Sequence, residues 1–90
     1  MDCANQQHQW INISDQQPSL GYLCFFACDK NITIGARIII NAEDDQRPIY
    51  CGILGAPRFD YDSRMWFAEL DIDTILHPTH WMTLPSLPKS

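Results

Sequence analysis

Basic residues, glycines and long apolar runs are scarce in this chain of 90 residues. Only six Lys and Arg residues stand against eleven Asp and Glu, which gives a net charge of −5. Because nonspecific affinity for nucleic acid depends on Lys and Arg neutralising phosphates, this composition argues against direct nucleic-acid binding. The four glycines form no Gly-rich loop, so the sequence has no phosphate-binding motif.

Membrane and export signals are also missing. No apolar stretch approaches the roughly 18 residues that a membrane-spanning helix needs. Residues 1–12 (MDCANQQHQWIN) are polar, without the basic start and apolar run of a signal peptide. We therefore expect a cytoplasmic protein that does not bind membranes and whose cysteines stay reduced.

The sequence has no recognisable catalytic signature. Ser14, Ser19 and Ser63 lie in polar turns without a Gly-x-Ser-x-Gly elbow. His77 and His80 lack the His-Glu-x-x-His spacing of zinc proteases. We therefore predict a protein that is not an enzyme and uses no cofactor.

What the chain does have is 46% hydrophobic residues, arranged in short runs. Residues 21–41 (GYLCFFACDKNITIGARIIIN) predict a β-hairpin at the centre of a sheet. The first run is apolar on both alternating faces, which is typical of a central strand, although a buried helix of this length would look the same. Asp29, Lys30 and Asn31 form the connection, and Asn31 suits a left-handed turn position.

The second run of this hairpin alternates with period two. One face carries four isoleucines and an alanine, which are Ile32, Ile34, Ala36, Ile38 and Ile40. Because alternate residues of a strand point to the same face, we predict that this row lies against the core.

Shorter elements are predicted on either side of the hairpin. Residues 10–14, 49–55, 65–71 and 79–84 predict strands, with Gly52 marking a bulge, and residues 56–64 predict a polar loop. Residues 71–77 predict one helical turn, capped by Asp71 or Asp73 and ended by Pro78. The expected fold is mainly β, a small antiparallel sheet of four or five strands with one short helical turn; α+β is the alternative. Residues 1–9 are expected to be a flexible tail, residues 10–88 a single domain, and Pro85 and Pro88 to lie in a mobile tail.

Two segments of the sequence carry a resemblance. The first is residues 10–15 (WINISD) leading to Gln17-Pro18, and the second is residues 79–85 (THWMTLP) followed by Leu87-Pro88. Together they resemble a family of small domains of unknown function carried by tailed phages and prophages. The chain differs from that family in having Thr83 in place of Pro, Gln17 in place of Leu, and an acidic segment at residues 43–45. The resemblance implies a phage or prophage origin and a β-rich fold, and it implies no activity. Within the second segment we expect Trp81 to cover the sheet while its N–H is hydrogen-bonded; a binding role for Trp81 and His80 is the alternative.

Cysteines offer a second functional class. A metal site built from Cys24, Cys28, Cys51 and His80 would make the chain a metal-binding or enzymatic accessory protein. Against this, Cys24 and Cys28 lie inside an apolar run and are four residues apart, about 13 Å along a strand. Buried free thiols that act as small hydrophobic side chains are the interpretation we favour.

Binding surfaces are predicted in the polar segments. Arg58, Phe59, Asp60, Tyr61 and Asp62 present two aromatic rings among charges, the residue types that dominate interface energies. Folding of Phe59 and Tyr61 back onto the sheet is the alternative. Further carboxylates are predicted to join this segment in one acidic face; they are Glu43, Asp44, Asp45, Asp71 and Asp73.

These features predict a non-enzymatic phage or prophage protein-binding module. The expected partner is a host or phage protein, and an acidic face would suit a nucleic-acid-binding protein with a basic surface. Inhibition of a host defence system such as a CRISPR-type complex is the use that we expect. A homo-oligomer formed through an exposed sheet edge is a third possibility.

Overall fold

The computed structural model describes residues 9–40 and 47–88, and these residues form one antiparallel sheet of six strands. The strands are β1 (Ile11–Asn12), β2 (Leu23–Cys28), β3 (Asn31–Ile39), β4 (Pro48–Asp60), β5 (Met65–Leu76) and β6 (His80–Thr83). Their order across the sheet is β1-β6-β2-β3-β4-β5. The prediction of a mainly β antiparallel fold is confirmed, and none of the described segments forms a helix that could cross a membrane.

The central hairpin lies where the sequence predicts it. Strand β2 pairs with β3 on one side and β6 on the other, so it is an inner strand. Cys28 pairs with Asn31, which leaves a two-residue turn of Asp29 and Lys30. The left-handed residue is Asp29, with φ 57°, and not Asn31 as predicted. A short polar side chain that tolerates this conformation allows Asp to take that position.

The hydrophobic cluster lies on the face of β3 opposite to the predicted one. Its buried residues are Cys24, Phe26 and Trp81, while Leu23, Ala36 and Cys51 are buried on the other face. Cys24 is paired with Gly35, and directly opposed residues of an antiparallel pair share a face. The cluster therefore lies over the face that carries Gly35, and partly buried residues from β1, β4 and β5 surround it: Ile11, Tyr50 and Leu76, together with Ile13 and Cys28.

The isoleucine row of β3 is consequently not the core row, and that prediction is wrong. Ile32 is 64% exposed and Ile40 is 41% exposed, while only Ala36 of the row is fully buried. Ile34 and Ile38 are half-buried. The row covers the second face of the sheet, where apolar neighbours such as Phe25 and Ile49 lie opposite its members.

Two neighbouring strands approach closely above Gly35. A Cβ at this position would clash with the backbone oxygen of Cys51 and lie 2.9 Å from Leu76 Cδ1. On the same face the rings of Phe26 and Tyr50 meet edge-on, with centroids 5.2 Å apart. The glycine in β3 thus leaves room for the backbone of Cys51 on β4 and the side chain of Leu76 on β5.

The two segments of the phage-like resemblance lie side by side. Strand β1 pairs with β6, placing Ile11 opposite Trp81. The indole N–H of Trp81 donates a 2.8 Å hydrogen bond to the backbone oxygen of Gln16, and Trp81 is only 7% exposed. The expectation that Trp81 covers the sheet while its N–H is satisfied is confirmed.

Strands β4 and β5 are much longer than predicted. The predicted loop at residues 56–64 shrinks to a turn at residues 61–64, and residues 71–76 of the predicted helical turn are the last part of β5. Register shifts between Cys51 and Gly52 and between Leu54 and Arg58 absorb residues that do not fit a regular ladder. The first confirms the predicted bulge at Gly52.

A bulge also explains the wrong helix prediction. The Asp71 carboxylate accepts hydrogen bonds from the Asp73 N–H at 3.2 Å and the Thr74 hydroxyl at 2.6 Å. Hydrogen bonds of this local kind also occur at helix caps. Here they stabilise residues 72–74 of β5, which lie between the pairs Gly52–Asp71 and Cys51–Ile75. The α+β alternative is therefore wrong for the described residues.

Candidate functional site

The end of the β4–β5 hairpin is a tightly held turn. Asp60 pairs with Met65, and its carboxylate accepts hydrogen bonds from the Ser63 hydroxyl at 2.7 Å and the Ser63 N–H at 3.2 Å. These bonds hold the pKa of the Asp60 carboxyl below its ordinary value. Arg64 closes the turn with φ 58° and donates its backbone N–H to the Asp60 carbonyl at 2.7 Å. We call residues 58–66 the hairpin tip.

Three aromatic side chains form a cluster at the hairpin tip. The ring of Phe59 lies 5.1 Å from that of Tyr61 and 5.2 Å from that of Trp66, in edge-on and tilted arrangements. Such geometries are favourable for aromatic pairs and keep the rings in a fixed relation. Phe59 is half-buried and Tyr61 is 45% exposed. The cluster therefore packs on itself while it presents Tyr61 to solvent.

The chain that follows β6 returns to this cluster. The indole N–H of Trp66 donates a 2.9 Å hydrogen bond to the carbonyl oxygen of Pro85. The Tyr61 hydroxyl donates a 3.3 Å hydrogen bond to the carbonyl oxygen of Pro88. Residues 84–88, which we call the C-terminal segment, thus lie against the hairpin tip, although the sequence predicts that Pro85 and Pro88 lie in a mobile tail.

A cavity of about 210 Å³ adjoins the aromatic cluster. Residues of the hairpin tip, the start of β2 and the end of β6 line it; they include Met65, Trp66, Leu23, Trp81 and Leu84. A register shift between Leu54 and Arg58 interrupts the ladder of this hairpin, and β5 is in contact with β2. The cavity lies between these elements and has mainly apolar walls.

The predicted acidic face is only partly assembled. Asp60 and Asp62 are exposed at the hairpin tip, with Arg58 beside them. Asp71 lies six residues beyond Met65 on β5, about 20 Å along an extended strand, and its carboxylate is engaged by Asp73 and Thr74. Glu43, Asp44 and Asp45 lie outside the described residues.

The residues of the alternative metal site do not converge. Cys24 pairs with Gly35 while Cys51 pairs with Ala36, so these two thiols lie on opposite faces of the sheet. His80 is opposite Ala27, on the face away from Cys24. Within residues 9–40 and 47–88, no group of three or more His, Cys, Asp or Glu side chains is placed to hold a metal ion.

Burial also disfavours the thiolate forms of the three described cysteines. It raises the pKa of Cys24 to about 12 and raises the pKa values of Cys28 and Cys51 as well. Nucleophilic and metal-binding cysteines require the thiolate, which a lowered pKa favours. The structure thus supports the interpretation of these residues as small hydrophobic side chains.

No protein-family model matches the chain, and no curated protein or solved structure is detectably similar to it. The resemblance of residues 10–18 and 79–88 to phage-borne domains stays a prediction. The hairpin tip with its aromatic cluster is the feature of the described residues that best fits a binding role.

The sequence pattern does not identify Trp66, or the pair of Arg37 and Tyr50, as residues of interest. Trp66 was predicted only as a strand residue, although it completes the aromatic cluster. Arg37 and Tyr50 are opposed on β3 and β4, and Arg37 Nε and Tyr50 Oη are buried without a hydrogen-bond partner. The guanidinium does donate through Nη1 to the Pro18 carbonyl at 3.0 Å, which ties the segment before β2 to the sheet.

Proposed function

We propose that this chain is a non-enzymatic, phage- or prophage-encoded module that binds a protein through the hairpin tip. The observation that carries the proposal is the aromatic cluster of Phe59, Tyr61 and Trp66 at the end of a braced hairpin, with exposed carboxylates beside it. Aromatic side chains bury large areas with little loss of rotamer freedom, which is why they dominate binding energies.

Preorganisation of the hairpin tip supports the same proposal. The turn is fixed by three hydrogen bonds to Asp60, and Phe59 contacts both other rings of the cluster. A surface that is already ordered loses little conformational entropy on binding, so more of the contact energy appears as affinity.

Charge suggests which partners the module favours. Asp60 and Asp62 flank the aromatic residues, and the net charge of the chain is −5. Complementary charge steers association and raises the rate of encounter with a basic surface. A basic host protein in the bacterial cytoplasm, such as a component of a nucleic-acid-guided defence complex, is the partner that we propose.

Affinity capture from lysate of bacterial host cells tests the proposal. The bait is the full chain, and the test variant combines Tyr61→Ala with Asp62→Asn, which removes a ring and a charge from exposed positions of the hairpin tip. The matched control combines Ile32→Ala with Asp29→Asn. Both residues lie at the turn between β2 and β3, outside the hairpin tip, and Ile32 is 64% exposed.

We expect wild type and control to recover the same basic protein and the test variant to lose it. A partner recovered equally by all three baits would show that binding does not involve the hairpin tip. Failure of wild type to recover any specific partner would also count against the proposal. Circular dichroism of each bait checks that the sheet is intact.

A further inference from the structure

The C-terminal segment makes two hydrogen bonds with the aromatic cluster of the hairpin tip. Residues 85–88 read PSLP, two prolines three positions apart. Both proline carbonyls are acceptors for the aromatic cluster, Pro85 for the Trp66 indole N–H at 2.9 Å and Pro88 for the Tyr61 hydroxyl at 3.3 Å. The spacing of the two donors therefore matches the spacing of two prolines in an extended segment.

Proline chemistry fits this arrangement. A proline has a carbonyl acceptor but no backbone N–H, so a site for it needs donors and apolar surface. Trp66 and Tyr61 each supply an aromatic ring with one polar donor, and Phe59 fixes the relative position of the two rings. Grooves lined by aromatic side chains are a recurring solution for binding Pro-x-x-Pro segments, which lose little entropy because they are already extended.

The apolar cavity beside Trp66 extends this surface. Leu84, the residue before Pro85, is part of its lining together with Trp66 and Trp81. A cavity of about 210 Å³ next to the proline contacts provides space for an apolar side chain of a bound segment. The hydrogen-bond donors of Tyr61 and Trp66 thus lie next to a cavity that provides space for a neighbouring side chain.

We propose that the aromatic cluster is a binding site for proline-containing extended segments of a partner protein, and that the C-terminal segment occupies it as an internal competitor. This inference rests on the proposed protein-binding function and specifies the partner's chemistry. The partner carries prolines three residues apart, and it binds when the C-terminal segment leaves the site.

The internal contact has the properties of a competitor. Only Leu84 separates the end of β6 at Thr83 from Pro85, so the effective concentration of the segment at the site is high. Its two hydrogen bonds are nevertheless exposed, and Pro85, Leu87 and Pro88 are exposed as well. The segment can leave without uncovering the core, and its occupancy lowers the apparent affinity for a partner in proportion to the occupied fraction.

A peptide titration tests the proposal. The probe is a fluorescently labelled Leu-Pro-Ser-Leu-Pro peptide, and the matched control is Leu-Ala-Ser-Leu-Ala; anisotropy gives the affinity for the full chain. The indole N–H resonance of Trp66, identified with Trp66→Phe, reports where the peptide binds. The double variant Pro85→Ala/Pro88→Ala weakens the internal competitor and leaves the hairpin tip unchanged.

We expect the proline peptide to bind at least tenfold more tightly than the alanine peptide and to shift the Trp66 indole resonance saturably. Pro85→Ala/Pro88→Ala should tighten proline-peptide binding about tenfold. In the Pro85→Ala/Pro88→Ala background, where the internal competitor is weakened, Tyr61→Phe removes one exposed hydroxyl and Trp66→Phe one donor, and each should weaken peptide binding severalfold. Trp10→Phe, which alters an indole outside the aromatic cluster and the cavity lining, should leave the affinity unchanged.

Equal affinity for the two peptides, or no binding by Pro85→Ala/Pro88→Ala, overturns the proposal. A dimer that light scattering detects and that Pro85→Ala/Pro88→Ala dissolves would also overturn it, because the site would then take the C-terminal segment of a second copy. If the peptide fails while capture from lysate still depends on the hairpin tip, this inference alone is wrong and the protein-binding function stands.

Discussion

Replacement of Gly35 by alanine tests the close approach on which the core depends. The added Cβ would overlap the backbone oxygen of Cys51 and lie 2.9 Å from Leu76 Cδ1. Gly35 has no left-handed φ, so alanine is not excluded by its own backbone and the penalty comes from these contacts. Because Cys51 is fully buried and its oxygen belongs to the backbone, neither rotation nor solvent can relieve the clash.

The size of the effect follows from two opposing contributions. Overpacking in a dense interior costs about 1–3 kcal/mol, and rigid backbone places this case at the upper end. Alanine also reduces the conformational entropy of the unfolded chain, which raises the free energy of unfolding by about 0.4–1 kcal/mol. We therefore expect Gly35→Ala to lower the free energy of unfolding by about 2 kcal/mol, a large part of the roughly 5–13 kcal/mol typical of 90 residues. For a domain of this size the melting temperature should fall by about 8–16 °C.

Gly52→Ala is the matched control, because Gly52 is opposite Gly35 on β4. Its Cβ would lie 3.3 Å from Cγ2 of Thr74, an exposed side chain that can move by a few tenths of an ångström. We expect a loss below about 1 kcal/mol in denaturant unfolding followed by circular dichroism. Equal losses for the two variants would refute the argument that the Cys51 backbone covers Gly35.

Three further predictions concern stability. Trp81→Phe should lower the free energy of unfolding by about 1–2 kcal/mol, because it removes the hydrogen bond to Gln16 and part of a buried ring; Trp10→Phe should change it by less than about 0.5 kcal/mol in the same urea titration. Asp29→Gly should be more stable than Asp29→Ala by roughly 1 kcal/mol, since glycine adopts φ 57° without strain; similar melting temperatures for the two would contradict the turn geometry. Stability should fall as the pH rises above 9, because burial raises the pKa of Cys24 from 9.0 to about 12 and the unfolded thiol ionises first; Cys24→Ala should reduce this slope by up to about 1.4 kcal/mol per pH unit between pH 9 and 12.

Local pattern predicts the strands well where period two is clear. Both strands of the central hairpin and the short strands near each end of the described chain lie close to their predicted positions. What local pattern does not contain is which face is covered. Strand β3 offers an isoleucine row and a face with Gly35, and the hydrophobic cluster that includes Phe26, Tyr50 and Leu76 lies over the second. Those side chains come from other strands, so the choice depends on register.

The long hairpin shows a second limit of local pattern. Residues 56–64, with Pro57 and two Asp residues, have the composition of a loop, and the sequence predicts one. In the structure Gly55 takes φ 73° within the register shift between Leu54 and Arg58, and β4 continues beyond it to Asp60. A bulge needs the same permissive residues as a loop, and only pairing with a partner strand tells the two apart.

Only part of the candidate site can be predicted from the sequence, because local pattern does not show which distant residues come into contact. Phe59 and Tyr61 stand together among charges, so the sequence identifies them directly. Trp66 and the C-terminal segment join them through contacts between residues 19 and 27 positions apart. Pro85 and Pro88 carry a usable signal in their Pro-x-x-Pro spacing, but a motif of this kind predicts an extended ligand and does not identify its receptor.

The C-terminal segment is held by fewer contacts than strand β6, and this difference makes the proposed competition physically reasonable. Strand β6 is held by ladders to β1 and β2 and by the buried ring of Trp81, so it opens only with the core. The C-terminal segment that follows is held by two exposed hydrogen bonds, and each such bond contributes about 0.5–1.5 kcal/mol. Opening of the segment is therefore a local event that costs far less than unfolding. A partner that offers the same proline carbonyls and also fills the cavity beside Trp66 would displace it without disturbing the sheet.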